Sequence, residues 1–411
     1  MRGALSATLL KRLLKSYIRS GALQVIDHTG RTIVAGDGSG PALTVRFKNA
    51  AIVRKLALNP ALHLPEGYMN GDIEIEGGSI YDFLLLLKMN RGSGKKPGAE
   101  SRNKTFQKLI RRPFQFNPAR VAARNARHHY DLNADMYRLF LDADMQYSCG
   151  YFEKESDDLE TAQAAKKRHI AAKLCIEPGM RVLDIGCGWG GMAIYLAREC
   201  HAEVVGITLS PEQRRIAEAR ALEAGVAGRV SFLEQDYRAV EGPFNRIVSV
   251  GMFEHVGVAH YATFFQKIRK LLTDDGIALL HTIARRNGPG ATNAFIRKYI
   301  FPGGYSPALS EIIPRIEQTR MFINDLEVWR DHYGHTCRHW RERFAANRDR
   351  AAALYDERFC RMWEFYLATS ELTFMQGGHI VTQIQLSKSR SAVPRTRNYI
   401  EAWEARHPIG S

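Results

Sequence analysis

Nothing in this chain of 411 residues approaches the roughly 18 consecutive apolar residues that a membrane-spanning helix requires. None of the six cysteines (Cys149, Cys175, Cys187, Cys200, Cys337 and Cys360) stands in a C-x-x-C pair. Neither a structural zinc site nor a redox pair is therefore indicated, and a reducing cytoplasm is the simplest expected compartment. The leucines near the start are interrupted by Lys11, Arg12 and Lys15 with no cleavage-like ending, which argues against a secretory signal. No internal repeat is present. Acidic residues are scarce in one part. Residues 1–127 carry 22 Lys+Arg against 8 Asp+Glu, a net +14, whereas the remainder carries 36 against 35, a net +1. Such asymmetry suggests an anionic partner, either a membrane surface or nucleic acid. No base-reading module is visible, so nucleic acid is the weaker of the two.

Leu5, Leu9, Leu13 and Tyr17 recur at helical spacing, with Lys11, Arg12, Lys15 and Arg19 on another face. This spacing predicts a basic amphipathic helix, either packed on its own domain or facing a membrane. A hairpin is expected around "HTGR", a further strand at "ALTVRFKN" and a helix at "SIYDFLLLLKMN". "RGSGKKPGAE" (91–100) reads as a linker, followed by a basic segment to Arg127. The expected organisation is an N-terminal domain over 1–90, a connecting segment over 91–127 and a larger domain over 128–411.

In the larger domain, "RVLDIGCG", "AEVVGITLS", "RVSFLEQD", "NRIVSVGMF" and "GIALLHTI" are short apolar runs separated by helical segments. The alternation predicts a parallel sheet covered by helices on both faces, with ligands at the C-terminal ends of its strands. "LDIGCGWGG" joins the first run to a helix and satisfies both G-x-G-x-x-G, through Gly186, Gly188 and Gly191, and G-x-G-x-G, through Gly190. Glycines there let the backbone turn tightly against a nucleotide. A dinucleotide site would place an acid at the end of the second strand, but that strand ends with Thr208 and Ser210. Asp184 before the glycines and Asp236 after the third strand fit S-adenosylmethionine instead. The missing second-strand acid departs from generic methyltransferases too, so spacing alone leaves the cofactor open. At "NRIVSVGMFEHVG", Glu254 and His255 follow the end of a buried strand, where a solvated loop would need neither.

Several motifs occur together and in order: "YSCGYF", "LDIGCGWGG", "GITLSPEQ", "GMFEHVG", "HTI", "KYIFPGG" and "HYGHT". In this combination the chain resembles the cyclopropane-fatty-acyl-phospholipid synthases, over about residues 147 to 385. "GYMNGDIEIEG" (67–77) extends the likeness, less sharply, to that family's smaller lipid-associated domain. The resemblance implies an α/β fold with a Rossmann-like class I methyltransferase sheet and a smaller basic N-terminal α+β domain. It implies methylene transfer from S-adenosylmethionine to the cis double bond of a phospholipid acyl chain, with bound bicarbonate taking the proton that ring closure releases. Alternatives are a methyl branch without ring closure and methylation of a small molecule.

By the same match Cys149, Glu254, His281, Ile283 (through its backbone) and Tyr333 would surround the bicarbonate. Tyr147, Ser148, Gly186, Gly188, Thr208, Leu209, Gln213, Asp236 and Tyr237 would line the cofactor site, beside Asp184 and Gly190 of the glycine loop. Cys149, His281 and Tyr333 each have a second reading as packed structural side chains. Tyr151, Phe152 and Phe253 are candidates to face a cation, and His255 an orienting partner of its loop. Residues 291–316, rich in Phe, Tyr and Ile, are expected as an acyl-chain wall within an insertion over about 285–320, or else as a helical cover on the sheet. No metal is expected. The implied partners are an anionic phospholipid surface, unsaturated acyl chains and a second copy of the chain, at the cytoplasmic side of the inner membrane.

Overall fold

A computed structural model describes residues 14–15, 17–90 and 134–409. The amphipathic helix expected over 5–18, apart from Leu14, Lys15, Tyr17 and Ile18, and the 91–127 segment lie outside those residues. The chain divides into two compact units that do not follow its order. Asn293–Ile300 and Cys337–Gly377, both expected in the second domain, group with the N-terminal residues.

In the first unit, β1 (Ala22–Ile26), β2 (Thr32–Ala35), β3 (Ala42–Phe47) and β4 (Ile73–Glu76) form a sheet in the order β2-β1-β3-β4. Alternation decides the buried face: Leu23, Val25, Ile33, Leu43, Val45 and Phe47 point inward. The turn between β1 and β2 is held by Asp27 Oδ1, which accepts from the backbone N–H of Thr29 (2.8 Å) and Arg31 (3.1 Å). The helix Ile80–Met89 starts in a Ser79–Asp82 capping box. Its apolar surface, with that of Pro60–Met69, packs on the long helix Glu357–Met375. Tyr68 donates to Glu364 at 2.8 Å, and Phe295 meets Phe365 edge-on at 5.1 Å. A four-stranded sheet this small cannot bury two apolar helices alone, which accounts for the recruitment of the later segments.

The second unit holds β5 (Arg181–Ile185), β6 (Glu203–Thr208), β7 (Val230–Glu234), β8 (Phe244–Val250), β9 (Leu272–Arg285), β10 (Phe322–Trp329) and β11 (His379–Ser387). The order is β10-β11-β9-β8-β5-β6-β7. β5 to β9 pair in parallel, as the alternation predicts. β10 and β11 are antiparallel additions, so the sheet is mixed. Successive residues of a strand serve opposite faces. Val182 and Val248 enter one core with Met192, Leu196, Phe232 and Trp403. Leu183 and Ile247 enter the other with Phe264, Phe265 and Ile268. Ile312 and Ile316 belong to that second core and are fully buried. Through these two residues the helix Leu309–Glu317 packs on the sheet, as the alternative reading of a helical cover has it at these positions.

The helix Leu159–Leu174 is buried along most of its length although its sequence reads as polar. Its charges are met individually. Lys166 donates to Gln146 and Ser148, Lys167 pairs with Asp144, His169 lies between Glu327 and Glu404, and Lys173 pairs with Asp325 and Glu327.

Candidate active site

Strand order sets the site. After β5 the chain runs to β6 and β7 on one side, then returns to β8 on the other. Loops leaving the strand ends part at such a reversal and leave a crevice. The cavity found there is lined by Tyr147, Ser148, Asp184, Gly186, Gly188, Thr208, Leu209, Gln213, Asp236 and Tyr237. Those are all of the expected cofactor residues except Gly190.

The glycines differ in role. At Gly188 φ is +55° and a Cβ would meet nothing within 4 Å, so bare backbone faces open space. At Gly190 a Cβ would lie 2.7 Å from Phe232 and 2.9 Å from Ala217. That position closes the packing of the following helix on the sheet and stands behind the cavity wall. Asp184 is almost wholly buried, and its Oδ2 has no partner among the described residues. Burial pushes its carboxyl up to about 7. An unsatisfied buried acceptor beside glycine backbone fits the ammonium of an amino-acid-bearing nucleoside. At the end of β6, Thr208 donates to Gln213 at 2.7 Å, a neutral polar pair where a dinucleotide site would carry an acid. Asp236 accepts from Arg238 through its backbone N–H (2.9 Å), Nε (2.8 Å) and Nη2 (2.7 Å). Burial alone would raise its carboxyl, but Arg238 holds it below the usual range.

Of the expected catalytic residues, His281 and Ile283 lie on β9, Glu254 follows β8, and Cys149 and Tyr333 come from the segments before β5 and after β10. Glu254 sits on the single turn Phe253–His255. Its Oε1 accepts from Ile283 N–H at 2.6 Å, while Oε2 is buried with no partner among the described residues. Burial raises its carboxyl, opposed by the Ile283 N–H. His281 lies on β9 between Val250 and Gln383. Gln383 Nε2 donates to its Nδ1 at 3.2 Å, which leaves the ring proton on Nε2. Burial and nearby Lys166 hold this imidazole neutral. Cys149 is buried, its thiol donates to Gly150 O at 3.2 Å, and burial pushes its ionisation far up. Tyr333 is half-buried at the start of the helix His332–Ala346. That start is tied to the Cys149 segment: Gly150 N–H donates to Thr336 at 3.0 Å, and Phe152 N–H to His332 Nδ1 at 3.0 Å. Glu254 and Ile283 are in direct contact. The others are joined to them through these backbone and ring links, with His281 edge-on to Trp329 at 5.0 Å and Tyr151 stacked on Trp329 at 4.7 Å.

Phe253 is not available to a ligand. It is fully buried and stacks on Tyr261 at 4.3 Å within the core. Sequence reasoning left Arg238, Gln163 and Lys166 without a role and gave His255 only a loop-orienting one. Arg238 and His255 line the cavity, and burial holds His255 at about 4, hence neutral. No sequence signal marks Gln163 and Lys166, because polar residues one turn apart in a helix of polar sequence read as solvent-facing.

The Cys149 thiol donates to Gly150 O and the His281 Nδ1 accepts from Gln383, so the two are not joined as nucleophile and base. With the Glu254 carboxyl they can hold a small hydrogen-bonding ion beside apolar surface. Residues 118–384 match the mycolic acid cyclopropane synthetase family, and residues 9–95 match a domain of unknown function, DUF7884. The chain is 38% identical over 337 residues to the cyclopropane-fatty-acyl-phospholipid synthase of Escherichia coli, covering 82% of this chain and 85% of that one. It is 33% identical over 389 residues to the tuberculostearic acid methyltransferase UfaA1 of Mycobacterium tuberculosis, covering 91% and 90%. Among solved structures it is similar to the mycolic acid cyclopropane synthase CmaA1 complexed with SAH and CTAB, with a TM-score of 0.62 and 31% identity over 66% of this chain and 99% of that one. With its class I methyltransferase sheet and cofactor crevice, this chain belongs to the mycolic acid cyclopropane synthetase family and is an S-adenosylmethionine-dependent methyltransferase.

Proposed function

We propose that the enzyme adds a methylene from S-adenosylmethionine across the cis double bond of a phospholipid acyl chain, with bicarbonate as the proton acceptor. The observation that carries this reading is Glu254, a buried carboxyl whose Oε1 accepts from Ile283 N–H and whose Oε2 has no hydrogen-bond partner among the described residues. A bicarbonate O–H would satisfy that oxygen and leave the ion's other oxygens to accept from His281 Nε2–H and the Tyr333 hydroxyl, with the Cys149 thiol, which donates to Gly150 O, only touching the ion. The cofactor would lie along Tyr147, Ser148, Asp184, Gly186, Gly188, Thr208, Leu209, Gln213, Asp236 and Tyr237. When bound, it supplies an electrophilic methyl group. Addition to an alkene leaves a cation on the acyl chain, and loss of a proton from the added methyl lets that electron pair close the ring. The protein's part is to exclude water, since no described side chain of the cluster is a strong base, and to hold the acceptor next to the new methyl.

Similarity to UfaA1 over nine-tenths of the chain favours a second reading, in which the same cation is resolved as a methyl branch with two electrons and a proton supplied by a separate hydride donor, which the incubation must include. Incubation with vesicles of a monounsaturated phospholipid separates the two by mass. Ring closure adds one carbon and two hydrogens, and branching with reduction adds one carbon and four. Unchanged lipid alongside methylation of a soluble acceptor would overturn both.

We extend the reading to the membrane. No described helix is long and apolar enough to cross a bilayer, and the net +14 lies in residues 1–127. Docking on anionic lipid by charge accounts for both.

A further inference from the structure

Lys166 is almost completely buried, and both of its hydrogen-bond partners are neutral. Its Nζ donates to Gln146 Oε1 and Ser148 Oγ, each at 2.7 Å. One turn earlier on the same helix, Gln163 Nε2 donates to the carbonyl oxygens of Ser148 (2.9 Å) and Gln146 (3.4 Å). The two side chains therefore grip a three-residue segment, Gln146 to Ser148, that forms one wall of the cofactor cavity. Asp184, which lines the same cavity and feels the Lys166 charge, keeps its Oδ2 unpartnered among the described residues, while two other acids close to this segment are engaged. Asp144 pairs with Lys167 and Arg220, and Asp142 accepts from Gln146 N–H at 2.8 Å. Burial pulls the Lys166 ammonium down to about 7, so an anion bound nearby would favour its charged form. The cavity is where such an anion can sit.

The hydroxyl chemistry gives the direction. Ser148 Oγ has one proton and two lone pairs. The Lys166 N–H occupies a lone pair, so the Ser148 proton is free to point into the cavity and donate there. A donor backed by a cation selects an anion, and the cofactor's amino-acid end carries a carboxylate.

We propose that Lys166 is a positioning residue for cofactor binding: it fixes Ser148 as a hydrogen-bond donor to the carboxylate at the cofactor's amino-acid end. The inference rests on S-adenosylmethionine occupying this cavity. It requires that Lys166 matter for ligands with that carboxylate and not for the same nucleoside without it.

The test is calorimetric titration of the full chain with S-adenosylhomocysteine and with 5′-methylthioadenosine, which lacks the amino-acid end. Lys166→Met should weaken S-adenosylhomocysteine roughly tenfold to a hundredfold, the range for losing a charge-assisted hydrogen bond, and leave methylthioadenosine within about twofold. Ser148→Ala should produce the same selective loss, and the double variant should be no weaker than the more affected single variant. Unchanged S-adenosylhomocysteine affinity in Lys166→Met, equal losses for both ligands, or additive losses in the double variant would overturn the proposal. Should Lys166→Met fail to give a cooperative thermal transition, Lys166→Gln, which keeps a donor without the charge, is put through the same comparison with the same expectation. Wild-type protein that binds neither ligand would refute the cofactor reading and this inference with it, whereas wild-type binding with insensitive variants refutes this inference alone.

Discussion

Glu254 distinguishes holding an ion from anchoring the cofactor. Glu254→Gln should cut turnover at least a hundredfold, because an amide replaces the acceptor that bicarbonate would donate to. Its affinity for S-adenosylhomocysteine should stay within about threefold by calorimetry. The same residue sets a pH dependence. Burial raises its carboxyl above the ordinary range, and the ionised form is the one that accepts from bicarbonate. The rate should therefore climb with pH through that raised value, and the acid limb should vanish in Glu254→Gln. Cys149 gives the opposite expectation. Its thiol is held protonated by burial, so Cys149→Ser should keep activity within about tenfold, whereas a covalent nucleophile would lose more than a thousandfold. These residues were legible in the sequence because motifs carry them. Lys166 was not, since a lysine in an Ala-rich helix reads as solvent-facing until the sheet is seen to bury it.

At the scale of elements, the five parallel strands could be read from apolar runs bounded by glycine and polar turns. β10 and β11 could not. In β10, Phe322, Ile323, Leu326 and Val328 stay exposed along an edge, and β11 buries Thr382, Gln383 and Gln385, so neither follows the expected pattern. The helix Leu159–Leu174 hid its burial for the same reason: its charges are satisfied by partners distant in sequence. That arrangement has a measurable consequence at His169. Burial alone would lower its imidazole, but hydrogen bonds to Glu327 and Glu404 raise it above the usual value. Its stabilisation is complete below the unfolded value of about 6.5 and is lost as pH rises through the higher folded one. Glu327, in turn, is held well below the carboxylate range by His169 and Lys173 despite burial. Its contribution is complete above about 4.3 and is lost as pH falls toward the folded value. Thermal unfolding should show the cluster's largest contribution between those limits. Glu327→Gln should flatten that maximum and destabilise by about 3 kcal/mol, because it leaves buried positive charge underpaired.

For the whole molecule, charge asymmetry was readable by counting, whereas the grouping of 337–377 with the N-terminal unit was not, because contacts rather than chain order define it. If the +14 of residues 1–127 serves a membrane, binding to vesicles with anionic lipid should fall steeply between about 50 mM and 500 mM salt as the screening length shortens. Replacing Lys11, Arg12, Lys15 and Arg19 by Gln should weaken it at low salt and leave S-adenosylhomocysteine binding intact. Equal binding to neutral and anionic vesicles, or preferential competition by polynucleotide, would assign the charge elsewhere. Thorough removal of carbonate should slow turnover and added bicarbonate restore it, while an unchanged rate would remove bicarbonate from the account. The most direct measurement of the central claim uses S-adenosylmethionine carrying a trideuterated methyl group with monounsaturated phospholipid vesicles. Cyclopropane closure by loss of a proton from the new methyl predicts a product that retains two of the three deuterium atoms and has no double bond. A product that retains all three would contradict ring closure and establish methyl branching instead.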